Sequence, residues 1–161
     1  MASRRDAGES TTRYMLDTDI CSSVMRRSDA VLLKRLAAVP VSEVCMSVVT
    51  RAELMYGVEV SPHRAQDASA LAAFLPYVDA IDFTSDAALH YADIRADLKR
   101  QGQLIGANDL FIAAHARCLG VTLVTNNTGG FDRVRGLKIQ NWTGAAPSRL
   151  PRSRRSRSPS S

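Results

Sequence analysis

Three stretches of the chain put an acidic residue where an apolar run ends or a helix-like pattern begins. They are "YMLDTDI" (residues 14–20), "TRAELMYGVEV" (50–60) and "GANDLFIAAHARCLG" (106–120), which carry Asp17, Glu53 and Asp109. Each acid has an ordinary structural role open to it. Asp17 closes a strand, and Asp19 caps the helix behind it. Glu53 falls three residues after Thr50 and completes a capping box. Asp109 interacts favourably with the dipole of its helix from the first turn. A second role opens if the three converge on one edge of a sheet. Carboxylates drawn together raise one another's pKa unless a cation compensates them. Oxygen ligands of this kind suit Mg²⁺ or Mn²⁺, whereas zinc prefers His or Cys.

Other chemistries find less support. His63, His90 and His115 lie in separate segments without metal-ligand spacing; His115 reads as a hydrogen-bonded packing residue of an apolar helix, the other two as surface residues. There is no GxSxG, P-loop or GxGxxG, and "GGF" at 129–131 is too short to cradle a nucleotide. "DTD" at 17–19 is similar to the DxD of haloacid dehalogenase-type phosphatases, with Asp17 as nucleophile and Asp19 as proton donor. That reading needs a downstream Lys and an acidic pair, which "NDLF" and "TNNT" do not plainly supply. Cys21, Cys45 and Cys118 are odd in number and form no CxxC pair, which favours a reducing compartment over a disulfide or zinc scaffold.

The acids depend on the elements that would carry them. Strand-like runs occur at 14–17, 44–48, 78–83, 121–125 and 137–142. Between them lie helical patterns: one starting at Thr18 or Asp19, one through "TRAELMYGVEV", and others over 64–75, 85–102 and about 108–119. Gly102 and Gly120 close the last two. Such alternation predicts an α/β fold with a mostly parallel sheet flanked by helices. In such sheets ligands bind outside the carboxyl ends of the strands. The helix after Asp109 is apolar on nearly every side, so it is expected to be buried, leaving its first turn little open water.

At 161 residues and 45% hydrophobic content, the chain suits one globular domain. Its net charge of +5 comes from Arg149, Arg152, Arg154, Arg155 and Arg157; residues 1–148 hold 16 basic and 16 acidic side chains. The basic pI is therefore weak evidence for a nucleic-acid-binding body. Residues 1–13 read as a flexible extension and 144–161 as a disordered Arg/Ser/Pro-rich tail. No apolar run approaches the roughly 20 residues needed to span a bilayer, so a soluble, cytoplasmic protein without membrane contact is expected.

Five motifs in order, "MLDTDI", "SVVTRAELMYGVE", "RADLKRQGQLIGANDLFIAAHAR", "VTLVTNNTGGFDRV" and "GLKIQNW", resemble the PIN-domain ribonucleases, and among them the VapC toxins of bacterial toxin-antitoxin pairs. The resemblance runs from about Tyr14 to Trp142, and places a PIN domain at 14–143. It implies a three-layer PIN-like fold, with metal-binding and catalytic acids at Asp17, Glu53 and Asp109 and Mg²⁺ or Mn²⁺ as cofactor. Glu53 would act directly or through water. It further implies a substrate RNA, a tRNA or an rRNA, a cognate VapB-like antitoxin and a homodimer. Arg51, Arg95, Lys99 and Arg100 are candidate RNA contacts, although a solvated helix face explains the last three equally well. One corner departs from the family pattern: Gly130 stands where many relatives carry an acid. Asn127 is left as a neutral oxygen ligand, with Asp132 just past the phenylalanine. The departure keeps a non-catalytic, RNA-binding PIN-like module open as an alternative.

Overall fold

The computed structural model describes residues 11–144. Most of both expected terminal segments therefore lies outside the described residues. Residues next to Tyr14 are already tied to the fold: the Arg13 N–H donates to the Glu43 carbonyl at 2.8 Å, and the Arg13 carbonyl accepts from Thr122 N–H at 2.9 Å.

Five short strands, β1 (Tyr14–Leu16), β2 (Val44–Ser47), β3 (Asp79–Ile81), β4 (Thr122–Val124) and β5 (Lys138–Gln140), form one sheet in the order β3-β2-β1-β4-β5. Every pairing is parallel, so the mostly parallel expectation is met in full. Strand residues alternate between two cores, as the period of two requires. Met15, Cys45 and Leu123 face α5 (Ser85–Arg100), α6 (Ala107–Leu119) and α7 (Thr128–Phe131). Leu16, Val44, Met46 and Val124 face α1 (Thr18–Arg26), α2 (Ala30–Ala37), α3 (Val48–Glu59) and α4 (Arg64–Phe74). The sheet is thus buried on both sides, the arrangement that all-parallel strands need. No helix among the described residues is long and apolar enough to cross a membrane.

Three local readings change. The alternation marks no second helix between the first helix and β2, yet α2 forms there, with Asp29 Oδ1 accepting from Leu32 N–H at 3.0 Å. Leu32 is buried and Leu36, one turn on, packs partly buried beside it, a helical spacing that the strand-helix alternation passed over. The first helix is capped by Asp17 itself rather than by Thr18 or Asp19. The third begins before "TRAE": Ser47 is its cap, and its Oγ accepts from Val49 N–H at 3.1 Å. Thr50 is then a buried residue inside the helix, and the expected capping box does not form.

Candidate active site

The strand order places β1 between β2 and β4, and β1 is where the connections change direction, the position at which open α/β sheets bind ligands. Asp17 follows β1 directly. Its Oδ1 accepts from Ile20 N–H at 2.9 Å, and the residue is only 4% exposed. Thr125, just past β4, also hydrogen-bonds the Asp17 carboxylate. Glu53 reaches the same edge from the second turn of α3, its Oε1 accepting from Thr18 Oγ1 at 2.8 Å. Thr18 Oγ1 also lies 3.3 Å from Thr50 Oγ1, joining α1 to α3.

Asp109 occupies the first turn of α6, whose cap, Gly106, offers no side chain. Its carboxylate folds back over that glycine: a Cβ added at Gly106 would sit 3.4 Å from Asp109 Oδ2. The body of α6 is as buried as expected, with Leu110 and every residue from Ile112 to Ala116 in the interior. Its first turn is more open than expected, since Gly106, Ala107 and Asn108 are exposed and Asp109 is half-buried.

The acids sense one another. Burial pushes the Asp17 carboxyl up from 3.8 to about 7; the Thr125 and Ile20 hydrogen bonds oppose the rise, and the charges of Asp19 and Asp109 add to it. Asp109 is pushed up to about 6, first by burial, then by Glu53 and Asp19. The ion pairs found among the described residues include none of these acids. In that region no three His, Cys, Asp or Glu side chains stand close enough to form a ready ligand set for a metal. Asp17, Glu53 and Asp109 thus share one electrostatic field without sharing a closed coordination shell. Their chemistry nonetheless fits a hard cation, because two partly or fully buried carboxylates without a cationic partner are what such an ion compensates.

The fourth corner has a physical explanation. Asn127 Oδ1 accepts from Gly130 N–H at 3.3 Å and so caps α7, while Asn127 N–H donates to Thr125 Oγ1 at 2.9 Å. A Cβ at residue 130 would lie 2.8 Å from Asn127 Nδ2. The asparagine therefore fills the space that a side chain at Gly130 would need. Asp132 is exposed, at the far end of α7.

The basic candidates are more scattered. Arg51 is exposed two residues before Glu53, a rotation of about 200° that turns it to another face of α3. Arg95 donates to Tyr91 Oη at 2.7 Å, and Arg100 lies 3.9 Å from Asp97. Lys99 is exposed. Two grooves meet at Thr18 and Glu53. One of about 280 Å³ includes Ser22, Arg26 and Asp67. The other, of about 600 Å³, is walled by Tyr56, Phe83, Asn108 and Phe111. Thr18, Arg26, Asn108 and Thr125 are not among the site residues expected from the sequence, although Thr18, Asn108 and Thr125 stand inside the motifs "MLDTDI", "GANDLF" and "VTLVT"; only Arg26 lies outside them.

Among the histidines, His63 is exposed and His115 is buried with Nδ1 2.8 Å from Ser47 Oγ. His90 is half-buried rather than a free surface residue, accepting from Arg117 Nε at 2.8 Å. A nucleophilic Asp17 is not favoured: the carboxylate is 4% exposed, and its Oδ1 already accepts from Ile20 N–H.

Comparison with known proteins agrees with this frame. Residues 14–137 match the PIN domain family. The chain is 40% identical to Ribonuclease VapC2 of Haemophilus influenzae over 130 residues, covering 81% of this chain and 98% of that protein. It is 38% identical to the tRNA(fMet)-specific endonuclease VapC of Shigella flexneri, again over 81% of this chain and 98% of the relative. Among solved structures, VapBC2 from Rickettsia felis, bound to a promoter DNA fragment, superposes with a TM-score of 0.76 at 35% identity, covering 81% of this chain and 99% of its counterpart. DNA-bound VapBC from Salmonella typhimurium gives 0.77 at 33% identity over 81% and 98%. With the family model matched over residues 14–137 and the curated relatives covered almost end to end, the chain belongs to the PIN-domain family and, within it, to the VapC ribonucleases.

Proposed function

We propose that this chain is a divalent-cation-dependent endoribonuclease toxin that hydrolyses phosphodiester bonds of a tRNA or rRNA, with Asp17, Glu53 and Asp109 as its catalytic acids. The observation that carries the reading is the buried, unneutralised Asp17 at the end of the central strand, with Asp109 in its field, in a chain 40% identical to a ribonuclease. Asp17 and Asp109 would hold the cation, Mg²⁺ or Mn²⁺, and Asn127 orders the loop beside them. When bound, that ion supplies Lewis acidity at the phosphate and lowers the pKa of a bound water. Without compensation these carboxylates would repel the phosphate that they must meet. Thr18 fixes Glu53 Oε1, which leaves Oε2 to orient the attacking water and accept its proton. The water oxygen bonds to phosphorus while the opposite P–O ester bond breaks, and the proton ends on the leaving oxygen.

The partner follows from the same relatives, whose structures are of toxin bound to antitoxin. An apolar groove of about 570 Å³ between α1, α2 and α4 is a surface that a VapB-like antitoxin would cover. A homodimer is proposed on the family likeness alone. The test is cleavage of total RNA by the purified protein in Mg²⁺, Mn²⁺ or EDTA, beside Asp109→Asn. Cleavage is expected only with metal, and at least about 100-fold slower in the variant. Equal cleavage by variant and wild type would overturn the assigned site. RNA bound but never cut would return the non-catalytic module.

A further inference from the structure

His115 is the one imidazole in the interior, and the cation-binding reading gives it no task. It sits on α6, 1% exposed, with its Nδ1 2.8 Å from the hydroxyl of Ser47. Ser47 is no ordinary neighbour, because the same hydroxyl caps α3 by accepting from Val49 N–H. The bond therefore joins the body of the helix that carries Asp109 to the first turn of the helix that carries Glu53. Both acids lie six residues from their end of it, about 9 Å along a helix axis.

The other ring nitrogen shows what this bond is held against. Nε2 is buried without a hydrogen-bond partner, and the ring otherwise packs edge-on against Phe83 at 5.4 Å. An apolar side chain of similar size would fill the same space without an orphaned polar atom. An apolar side chain could make neither the Nδ1 bond nor the weaker interaction with the Asp82 backbone, and of the two only the Nδ1 bond ties α6 to the start of α3. Burial holds the ring below its ordinary pKa, opposed in part by a hydrogen bond to the Asp82 backbone and by the Asp82 charge.

We propose that His115 is a positioning residue: through Ser47 it fixes α6 against the start of α3 and so sets the separation of Asp109 and Glu53. It touches neither substrate nor cation. The inference rests on the proposed catalytic role of those two acids. Groups that orient ligands in this way commonly shift metal affinity or activity 10–100-fold when removed.

The test compares His115→Leu, which keeps the volume, with His115→Asn, which restores a polar atom near the position of Nδ1. Mn²⁺ binding by calorimetry, RNA cleavage, thermal melting and hydrogen exchange in the first turn of α3 are read on each. His115→Leu should melt near the wild-type temperature, bind Mn²⁺ about tenfold more weakly, lower kcat with KM unchanged and speed exchange at the start of α3. His115→Asn should recover most of each loss. Adding Ser47→Ala to His115→Leu should lower Mn²⁺ affinity no further than Ser47→Ala alone. Unchanged binding and exchange in His115→Leu, or equal losses in both His115 variants, would overturn the inference. If wild type itself binds no Mn²⁺, the catalytic reading fails, and exchange at α3 alone then decides whether the link exists.

Discussion

Asp17 carries two demands that pull in opposite directions. As the cap of α1 it needs only an oxygen acceptor, and asparagine serves that purpose about as well. As the ligand proposed above it would have to be ionised, yet burial pushes its carboxyl up to about 7. Between pH 4 and 7 the folded chain keeps a proton that the unfolded chain has released, so stability falls as pH rises through that window. The rise from 3.8 to about 7 corresponds to roughly 4 kcal/mol lost on full ionisation. Metal-free Asp17→Asn should therefore be more stable than wild type by about 2–4 kcal/mol at pH 8 and nearly equal to it at pH 4, as measured by urea melts in EDTA. Mg²⁺ should raise the wild-type melting temperature at pH 8 and leave the variant unmoved. An Asp17→Asn protein less stable than wild type at pH 8 would show that this carboxylate is compensated within the fold. If Asp17 and Asp109 hold the cation as proposed, it has to displace their protons, and its affinity for wild type should climb steeply from about pH 5 to 7.5 and flatten above.

At the scale of elements, the short helix α7 explains the missing acid and exposes a trade. Gly130→Glu has to displace the Asn127 side chain, removing the cap of α7 at a cost of about 1 kcal/mol. The new carboxylate would enter the loop that already touches Asp17 through Thr125. The variant is expected to melt a few degrees lower and to bind Mn²⁺ several-fold more tightly, by scanning fluorimetry and calorimetric titration; unchanged affinity would mean that this corner does not face the cation. The same loop shows what a sequence can and cannot disclose. Gly130 was visible as a departure, but the reason for it, an asparagine folded into its space, is a contact between side chains. The apolar run after Asp109 marked α6 correctly because burial on every face leaves a plain pattern. "TRAE" misled because a capping box and the second turn of a helix share the same spacing, and only the backbone of Ser47 decides between them. Neither could the sequence bring Glu53 to Asp17, since that depends on β2 lying beside β1 in the sheet.

For the whole molecule, charge is distributed unlike function. The acids meet at one edge of the sheet, while the net positive charge belongs to the five arginines after residue 148, with the remainder formally neutral. If the body reads its RNA through the grooves at Thr18 and Glu53, the terminal arginines contribute only attraction to phosphate, which does not depend on sequence and is screened by salt. Ending the chain at Gly144 should then weaken RNA binding at low ionic strength and lessen the slope of log affinity against log salt by up to about 3.5–4.5. The position of the cut and the rate at saturating RNA should stay the same. Filter binding in EDTA across a salt series gives the slope, and end-labelled cleavage maps in Mg²⁺ give the position. A shortened chain that cuts elsewhere would place specificity in those arginines; an unchanged slope would mean that phosphate contacts come from the body, making Arg26, beside Glu53, the first side chain to replace.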